Sequence, residues 1–182
     1  TINGETFLPW EGSILSWERK LDMENARLLR YVRWQSSKGE ITRFEFERFV
    51  SYDDDHLAFI KCTVIPENYD GKITVQSGID SVVKADGWRI TSSEEGMVDR
   101  NKVFYSCTTC EDTGIKAIVG TKSNIFVDGK KFDCKWNAYN NDSIFTSTTK
   151  INAEKGKPFV FEKQICFVTE RDGFKKKKKE VN

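Results

Sequence analysis

Apolar and polar side chains alternate with a period of two along much of this chain. In the segment 130–139 the alternation places Phe132, Cys134, Trp136 and Ala138 on one face, and it places charged or amide side chains on the other. This pattern predicts one half-buried antiparallel strand. The same alternation recurs in 72–79, 115–119 and 159–168, where the predicted inward residues are Ile73, Val75, Ile79, Ile115, Ala117, Val119, Phe159, Phe161, Ile165 and Phe167.

Turn sequences separate these runs at short intervals. Asp128-Gly129 tolerates the positive φ angles of a tight hairpin, so we predict a hairpin between Val127 and Lys130. The best helix candidate, Ser16 to Arg30, is interpreted instead as two strands joined by a turn at Glu24-Asn25. Many short strands with such turns predict an all-β antiparallel sandwich with few or no helices.

The segment from Ile41 to Ile65 carries apolar residues on both faces of its predicted strands. Strands of this kind lie in the middle of a layered structure or are covered by a partner. We therefore expect an apolar patch larger than a few hundred Å² and self-association of the isolated chain. The residues expected to contribute to this patch are Phe44, Phe46, Phe49, Phe59 and Ile60.

Composition narrows the function classes. A length of 182 residues fits one domain, and we expect the sandwich over 1–174 with a lysine-rich tail or linker remnant over 175–182. A net charge of +1 gives no basic field for nucleic acid, and no apolar run approaches the roughly 20 residues that span a bilayer. No signal peptide is visible, and five cysteines are an odd number, so we expect free thiols and a cytoplasmic protein.

Several segments of the chain carry recognisable motifs. They are Leu21-Asp22-Met23, Arg30-Tyr31-Val32-Arg33-Trp34, Phe46-Glu47-Arg48-Phe49-Val50-Ser51, His56-Leu57, Thr63-Val64-Ile65-Pro66, Gly71-Lys72-Ile73, Ser77-Gly78-Ile79-Asp80 and Val168-Thr169-Glu170-Arg171-Asp172. Together these segments resemble the amino-terminal domain of glycoside hydrolase family 65, with strong matches over residues 13–84 and 158–172. The Gly-rich strands that precede this region in the family have no counterpart before Asn3-Gly4-Glu5, so the resemblance predicts an incomplete domain.

This resemblance implies a β-sandwich of the super-sandwich type that is not itself catalytic. Family members are mostly cytosolic phosphorylases and hydrolases of α-glucosides such as maltose, trehalose and kojibiose. Their catalytic glutamic acid and phosphate-binding residues lie in an (α/α)6 barrel, and inorganic phosphate is the co-substrate. The expected partner of this domain is that barrel, and a homodimer is a further option. The disaccharide would be bound only through the parent enzyme. The alternative is an independent carbohydrate-binding module.

The residues themselves nominate no catalytic pair, no metal site and no cofactor. Asp53-Asp54-Asp55 and Glu94-Glu95 are interpreted as surface turns, and His56 as a turn-capping residue. Cys107 and Cys110 have zinc-knuckle spacing, but no second Cys-x-x-Cys pair follows.

The tryptophans divide into predicted core residues and predicted surface residues. Trp34 and Trp136 fall on alternating strands and are predicted to lie in the core. Trp10 and Trp88 fall in predicted loops, so they are the candidates for contact with sugar or with a partner domain.

Overall fold

The structure is a computed structural model that describes residues 1–8, 13–80, 90–98, 103–133, 135–141 and 144–172. Within these ranges the chain forms β1 Ser13–Asp22, β2 Arg27–Gln35, β3 Ile41–Val50, β4 Leu57–Pro66, β5 Gly71–Asp80, β6 Ile90–Val98, β7 Val103–Cys110, β8 Lys116–Val127, β9 Lys130–Phe132, β10 Asn137–Asn141, β11 Ile144–Ala153, β12 Phe159–Thr169 and a 3-10 turn Glu170–Asp172. This described part contains no helix with the length and apolarity that a bilayer-spanning helix requires. The lysine-rich segment 175–182 lies outside the described residues.

The strands form two antiparallel sheets of unequal size. The large sheet has nine strands in the order β1-β2-β3-β4-β12-β8-β7-β6, with β9 paired to β8. The small sheet has three strands in the order β10-β11-β5. The prediction of an all-β antiparallel sandwich is therefore confirmed.

Strand β12 holds the middle of the large sheet together. Phe159 pairs with Val64 of β4 on one side and with Val127 of β8 on the other. Strand β12 is thus inserted between β4 and β8, which lie about a third and two thirds of the way along the sequence.

Each strand of the large sheet has an inner face, toward the small sheet, and an outer face. The inner face carries Trp34 of β2, Phe44 of β3, Val64 of β4 and Phe159 of β12, all of which are buried. They pack with Ile2, Tyr69, Ile73, Ile125, Ile151 and Ala153 into one apolar cluster. This cluster is the core, and it occupies one part of the space between the sheets.

Trp34 is the largest fully buried side chain, with 0% of its surface exposed. Phe7 packs edge-on against its ring at a centroid distance of 5.6 Å, and Phe7 also stacks on Phe44 at 4.1 Å. The prediction that Trp34 lies in the core is confirmed. Trp136 is only half-buried, because it packs at the margin of the core against Phe161 at 6.4 Å.

A second part of the space between the sheets is polar. The hydroxyl oxygens of Ser77 and Ser123 lie 3.1 Å apart across the two sheets. Nearby, the Lys163 ammonium donates to the Gly78 carbonyl oxygen at 2.6 Å, and desolvation by burial lowers the pKa of Lys163. These bonds join the sheets where the apolar core does not reach.

The hairpin predicted at Asp128-Gly129 is confirmed. Their φ angles are 50° and 72°, and Val127 pairs with Lys130 across the turn. Positive φ at both central residues matches the right-handed twist of the flanking strands, which explains the Asp-Gly pair. The interpretation of residues 16–30 as two strands is also confirmed, since β1 and β2 pair from Asp22 and Arg27 outward.

The single strand predicted over 130–139 is wrong. Strand β9 ends at Phe132 in the large sheet, and β10 begins at Asn137 in the small sheet. The alternation is interrupted because the chain crosses between sheets here, which leaves Phe132 41% exposed. Cys134 and the side chain of Ala138 lie outside the described part of the structure.

Two further predictions are corrected. Phe167 was expected to point inward into the core, but it is 50% exposed, because it lies on the inner face near the end of β12, away from the buried cluster. Glu94 and Glu95 were expected in a turn, but they lie inside β6, where Glu94 pairs with Cys107.

We expect Trp34→Ala to lower the free energy of unfolding by about 3–5 kcal/mol, because it removes a fully buried ring from a packed core. Urea denaturation followed by circular dichroism measures this loss. Trp17→Ala is the control, since Trp17 is 68% exposed and its loss is expected to change the stability of this chain by at most about 0.5 kcal/mol. Equal losses in the two variants would contradict the position assigned to Trp34.

Candidate docking and binding surfaces

The small sheet leaves one end of the inner face uncovered. A cleft of about 110 Å³ opens there over β1, β2 and β3, and it is lined by Arg19, Leu28, Arg30, Phe46 and Arg48. None of the lining residues belongs to the small sheet. We call this feature the arginine cleft.

The strand registers bring the three arginines together. Arg19 of β1 lies directly opposite Arg30 of β2, and Arg30 lies opposite Phe46 of β3. Arg48 follows Phe46 by two residues on β3, so it points to the same face. Residues far apart in sequence therefore place three arginines along one cleft, two of them against the Phe46 ring.

The Phe46 ring orients two of these guanidinium groups. The Arg30 guanidinium carbon lies 5.3 Å from the ring centroid, and the Arg48 carbon lies 5.8 Å from it. A cation over an aromatic face is attracted by the ring, and a stacked guanidinium keeps its N–H groups available at its edge. Beside Phe46, on β4, burial raises the pKa of Cys62 to about 12, so the thiol remains neutral and does not offset the arginine charges.

The turn between β1 and β2 is held by Asp22. Its Oδ1 accepts hydrogen bonds from the Asn25 backbone N and from Asn25 Nδ2, both at 3.1 Å, and its Oδ2 accepts one from Arg27 Nη2 at 3.0 Å. The hydrogen bonds from the Asn25 side chain and backbone, followed by that from Arg27, hold the pKa of Asp22 below its ordinary value. This turn sets the register that places Arg19 opposite Arg30.

The outer face of the same strands has a different charge pattern. Its arginines are paired with acids: Arg27 with Glu47 at 2.8 Å, Arg33 with Glu67 at 2.7 Å and Arg43 with Glu45 at 3.2 Å. On the inner face of β1–β4 and β12, all of whose residues are described, the sequence places no Asp or Glu. The arginine cleft is thus cationic, while the outer face is balanced.

Exposed apolar side chains flank the arginine cleft along β1 and its turn. Trp17 is 68% exposed, Leu21 is 64% exposed and Met23 is 82% exposed. Trp17 and Leu21 lie on the inner face on either side of Arg19. Large apolar groups left bare next to one another are typical of a surface that contacts another protein or domain.

The apolar patch predicted from five residues is divided between two faces. Phe44, Phe46 and Ile60 have even numbers in β3 and β4 and lie on the inner face, where Phe44 is buried. Phe49 and Phe59 lie on the outer face and stack at a centroid distance of 4.9 Å. The five side chains therefore do not form one surface, and self-association stays a prediction.

The candidates for contact with sugar fall outside the structural description. Trp10 and Trp88 lie in the ranges 9–12 and 81–89, which are not among the described residues. They stay predictions of the sequence.

The acidic residues before β4 close a turn. The backbone N of His56 donates to Asp54 Oδ1 at 3.0 Å, and the His56 ring Nδ1 lies 3.0 Å from the Phe167 carbonyl oxygen. Ligand atoms of Asp54, Asp55 and His56 come within 4.8 Å of one another, but both carboxylates are exposed. These contacts are consistent with the turn-capping interpretation of His56.

The Cys-x-x-Cys pair is divided between the faces of the large sheet. Cys107 pairs with Ile118 on the outer face, whereas Cys110, three residues later at the end of β7, points the other way. Cys62, Cys107, Cys110 and Cys166 are all free thiols. Hydrogen bonds from Thr113 lower the pKa of Cys110.

Sequence reasoning missed the arginine cleft. The signal that could have found it was the turn at Glu24-Asn25, because a hairpin closing there places Arg19 opposite Arg30. The contribution of Arg48 depends on the pairing of β2 with β3, which the local pattern did not specify. Arginine stays protonated in proteins, so this arrangement can bind anions but cannot serve as a general acid or base.

Comparison with known proteins identifies the family. The model of the glycosyl hydrolase family 65 N-terminal domain matches residues 1–182. The chain belongs to this family.

Three relatives of this family 65 N-terminal domain are named as phosphorylases. The chain is 33% identical over 171 residues to 3-O-alpha-D-glucosyl-L-rhamnose phosphorylase of Lachnoclostridium phytofermentans. This match covers 94% of the chain and 22% of that protein. The chain is also 32% identical over 133 residues to kojibiose phosphorylase of Halothermothrix orenii, and that match covers 72% of the chain and 17% of the relative. It is 30% identical to alpha,alpha-trehalose phosphorylase of Thermoanaerobacter brockii, over 94% of this chain and 23% of that protein. The chain therefore spans about a fifth of the length of these relatives.

A solved structure supports the same fold. A protein from the human microbiome assigned as a kojibiose phosphorylase superimposes on 88% of this chain with a TM-score of 0.71 and 15% sequence identity. The match covers 20% of that protein. At this identity the likeness concerns the fold.

We expect Asn25→Ala to raise the pKa of Asp22 back toward 3.8, because the largest cause of its lowering is the hydrogen bond from the Asn25 side chain. A carboxyl titration followed by NMR measures the pKa. The folded-state pKa is lowered, so the stabilisation from Asp22 is present above pH 3.8 and is lost as the pH falls through the folded-state value. The stabilities of wild type and variant should therefore converge in acid. Asn152→Ala on β11 is the control, and an unchanged Asp22 pKa in Asn25→Ala would contradict the assigned contact.

Proposed function

We propose that this chain is the noncatalytic N-terminal domain of an α-glucoside phosphorylase and that it packs against a catalytic (α/α)6 barrel. In that enzyme inorganic phosphate is the co-substrate, and the disaccharide binds through the parent protein. The names of the relatives and the family match support this proposal. The single structural observation that carries it is the uncovered end of the inner face, where Trp17 and Leu21 are bare.

The carboxylates of the described residues support the noncatalytic part of the proposal. A general acid at neutral pH needs a raised pKa, which burial in apolar surroundings provides. The described carboxyl groups with a displaced pKa are Glu5, Asp22 and Asp172, and each pKa is lowered by hydrogen bonds. These groups are therefore ionised and act as acceptors at turns and strand ends.

A docking role suits the bare apolar side chains. Burying a Trp, Leu or Met side chain on association contributes roughly 1.5–3 kcal/mol each, which is enough to fix the relative position of two domains. The alternative of a carbohydrate-binding module needs coplanar exposed rings. Trp17 instead has Arg19 beside it on β1 and the buried Val32 opposite it on β2.

A cytoplasmic location and a homodimer belong to the same proposal. The four described cysteines are free, which fits a reducing compartment. Dimerisation of the parent enzyme would have to use surface that the barrel leaves free, and the stacked Phe49 and Phe59 on the outer face are one apolar pair available for it.

We expect the purified 182-residue chain to release no glucose 1-phosphate from maltose, trehalose or kojibiose in the presence of inorganic phosphate. The reason is that phosphorolysis needs a protonated acid, and the displaced carboxyl pKa values run in the opposite direction. A coupled assay for glucose 1-phosphate measures this. Activity that persists through successive purification steps in proportion to the chain would overturn the noncatalytic assignment.

In a full-length enzyme we expect Trp17→Ser combined with Leu21→Ser to weaken the contact between this domain and the barrel. The midpoint of thermal unfolding should fall by several degrees in the full-length protein and change little in the 182-residue chain, because these side chains are exposed here. Differential scanning calorimetry of both proteins makes the comparison.

Tyr139→Ser is the matched control for the docking experiment. Tyr139 is 69% exposed and lies on the small sheet, away from the inner face of the large one. If the Tyr139 variant loses as much stability in the full-length protein as the Trp17 and Leu21 variant, the docking surface is assigned to the wrong place.

A further inference from the structure

We propose that the arginine cleft binds a phosphate group, carried by inorganic phosphate or by a sugar phosphate. The ligating groups are the guanidinium groups of Arg19, Arg30 and Arg48, which line the cleft with Leu28 and Phe46. This inference goes beyond the proposed function, because it concerns a ligand of the 182-residue chain itself. Trp17 and Leu21 lie on either side of Arg19, so phosphate binding and barrel docking would use adjoining parts of one surface.

Among the described residues, the arginine cleft has no carboxylate counterion on its face of the sheet. Along the inner face of β1–β4 and β12 the charged residues are Arg19, Arg30, Arg48 and Lys163. The Lys163 ammonium is engaged by the Gly78 carbonyl oxygen at 2.6 Å. The three guanidinium groups form no ion pair with any described residue, whereas Arg27, Arg33 and Arg43 on the outer face all do.

Two like charges are held opposite one another in the arginine cleft. Arg19 and Arg30 are direct cross-strand neighbours. Like charges in this position destabilise a strand pair, and a bound anion reverses the sign of that interaction. The hairpin turn at Asp22 and the register of β2 with β3 keep the arginines in place without a ligand.

The shape of the arginine cleft also suits a phosphate group. Arg30 and Arg48 lie against the Phe46 ring, which restricts their side chains and leaves N–H groups to donate. A guanidinium donates in a planar fork that matches phosphate oxygens, and several forks can share the oxygens of one phosphate. A cleft of about 110 Å³ exceeds the roughly 10–15 Å³ that one water molecule needs, so it holds a group of several heavy atoms.

Phosphate fits this site better than a single carboxylate. A carboxylate brings one charge and two acceptor oxygens, so three cations around it would keep most of their mutual repulsion. A phosphate dianion brings a larger charge and more oxygens than a carboxylate. An acidic segment of a protein partner is the competing occupant, and the experiment separates it from phosphate.

The test is a titration of the 15N-labelled 182-residue chain with inorganic phosphate at constant ionic strength, with chloride as the balancing anion. Constant ionic strength removes the general screening of surface charge. We expect saturable shifts of the Nε–H resonances of Arg19, Arg30 and Arg48, and no saturable shift for Arg43. Parallel shifts of Arg43 and Arg30, or shifts that do not saturate, would overturn the site.

Variants assign the binding to the cleft. Arg30→Gln should weaken phosphate binding by about tenfold or more, the loss expected for charge-assisted hydrogen bonds. Arg43→Gln removes the same charge from the opposite face of β3 and should change the dissociation constant by less than about twofold. Arg19→Gln provides a second readout with little risk to folding, since Arg19 is exposed. Equal affinity in wild type, Arg30→Gln and Arg19→Gln would exclude the cleft.

Three further ligands distinguish the source of the anion. Glucose 1-phosphate that binds tighter than inorganic phosphate indicates a sugar phosphate, and equal affinity indicates the phosphate group alone. Glutarate that binds as tightly as phosphate would overturn the phosphate assignment. An oligoglutamate peptide that binds more tightly than phosphate, with the same dependence on Arg30, would replace it with an acidic polypeptide partner. These outcomes do not depend on whether the chain is part of a phosphorylase.

Discussion

The unequal width of the two sheets constrains the rest of this structure. Three strands cannot cover the inner face of nine, so burial is confined to the part of the large sheet near Trp34, Phe44 and Phe159 and to β7 and β8, where Phe104 packs on Phe145 of the small sheet at 5.1 Å. Around Trp34 the core is apolar and closely packed. The sheets are also joined by the Ser77–Ser123 hydroxyl pair and by Lys163, and at the β1 edge the inner face is open. The bare apolar side chains and the arginine cleft both lie at that open edge.

Strand alternation separates the charges as well as the apolar residues. In β3 the odd positions Arg43, Glu45 and Glu47 lie on the outer face, where each has an ionic partner. Exposed pairs of this kind contribute little to stability, typically 0–1 kcal/mol, but they leave that face without a net field. The inner face of β1 to β3, formed by Trp17, Arg19 and Leu21 of β1 and by the even positions of β2 and β3, carries arginine and no acid. One face is thus suited to solvent, and the other to an anion or a partner.

Much of the fold could be predicted from local patterns. The turn at Glu24-Asn25, the Asp128-Gly129 hairpin and the burial of Trp34 all follow from alternation and turn chemistry. The errors occur where a residue's environment depends on distant strands. Phe132 alternates as a core residue should, yet the chain leaves its sheet immediately afterwards. The arginine cleft depends on two strand pairings, that of β1 with β2 and that of β2 with β3. Arg48 is too far along the chain from Arg19 and Arg30 for a local sequence pattern to relate the three residues.

The place of β12 has a consequence for how the chain is made. During synthesis β4 and β8 emerge long before residues 159–169, so each has an open edge that its final neighbour has not yet covered. Unpaired edges of apolar strands recruit other strands, and β sheets with distant pairings close slowly. The nascent chain therefore holds two separate half-sheets, which join only when β12 pairs with both β4 and β8. A ribosome that stalls between β11 and β12 would leave both half-sheets with an open edge, and such a chain is prone to aggregate.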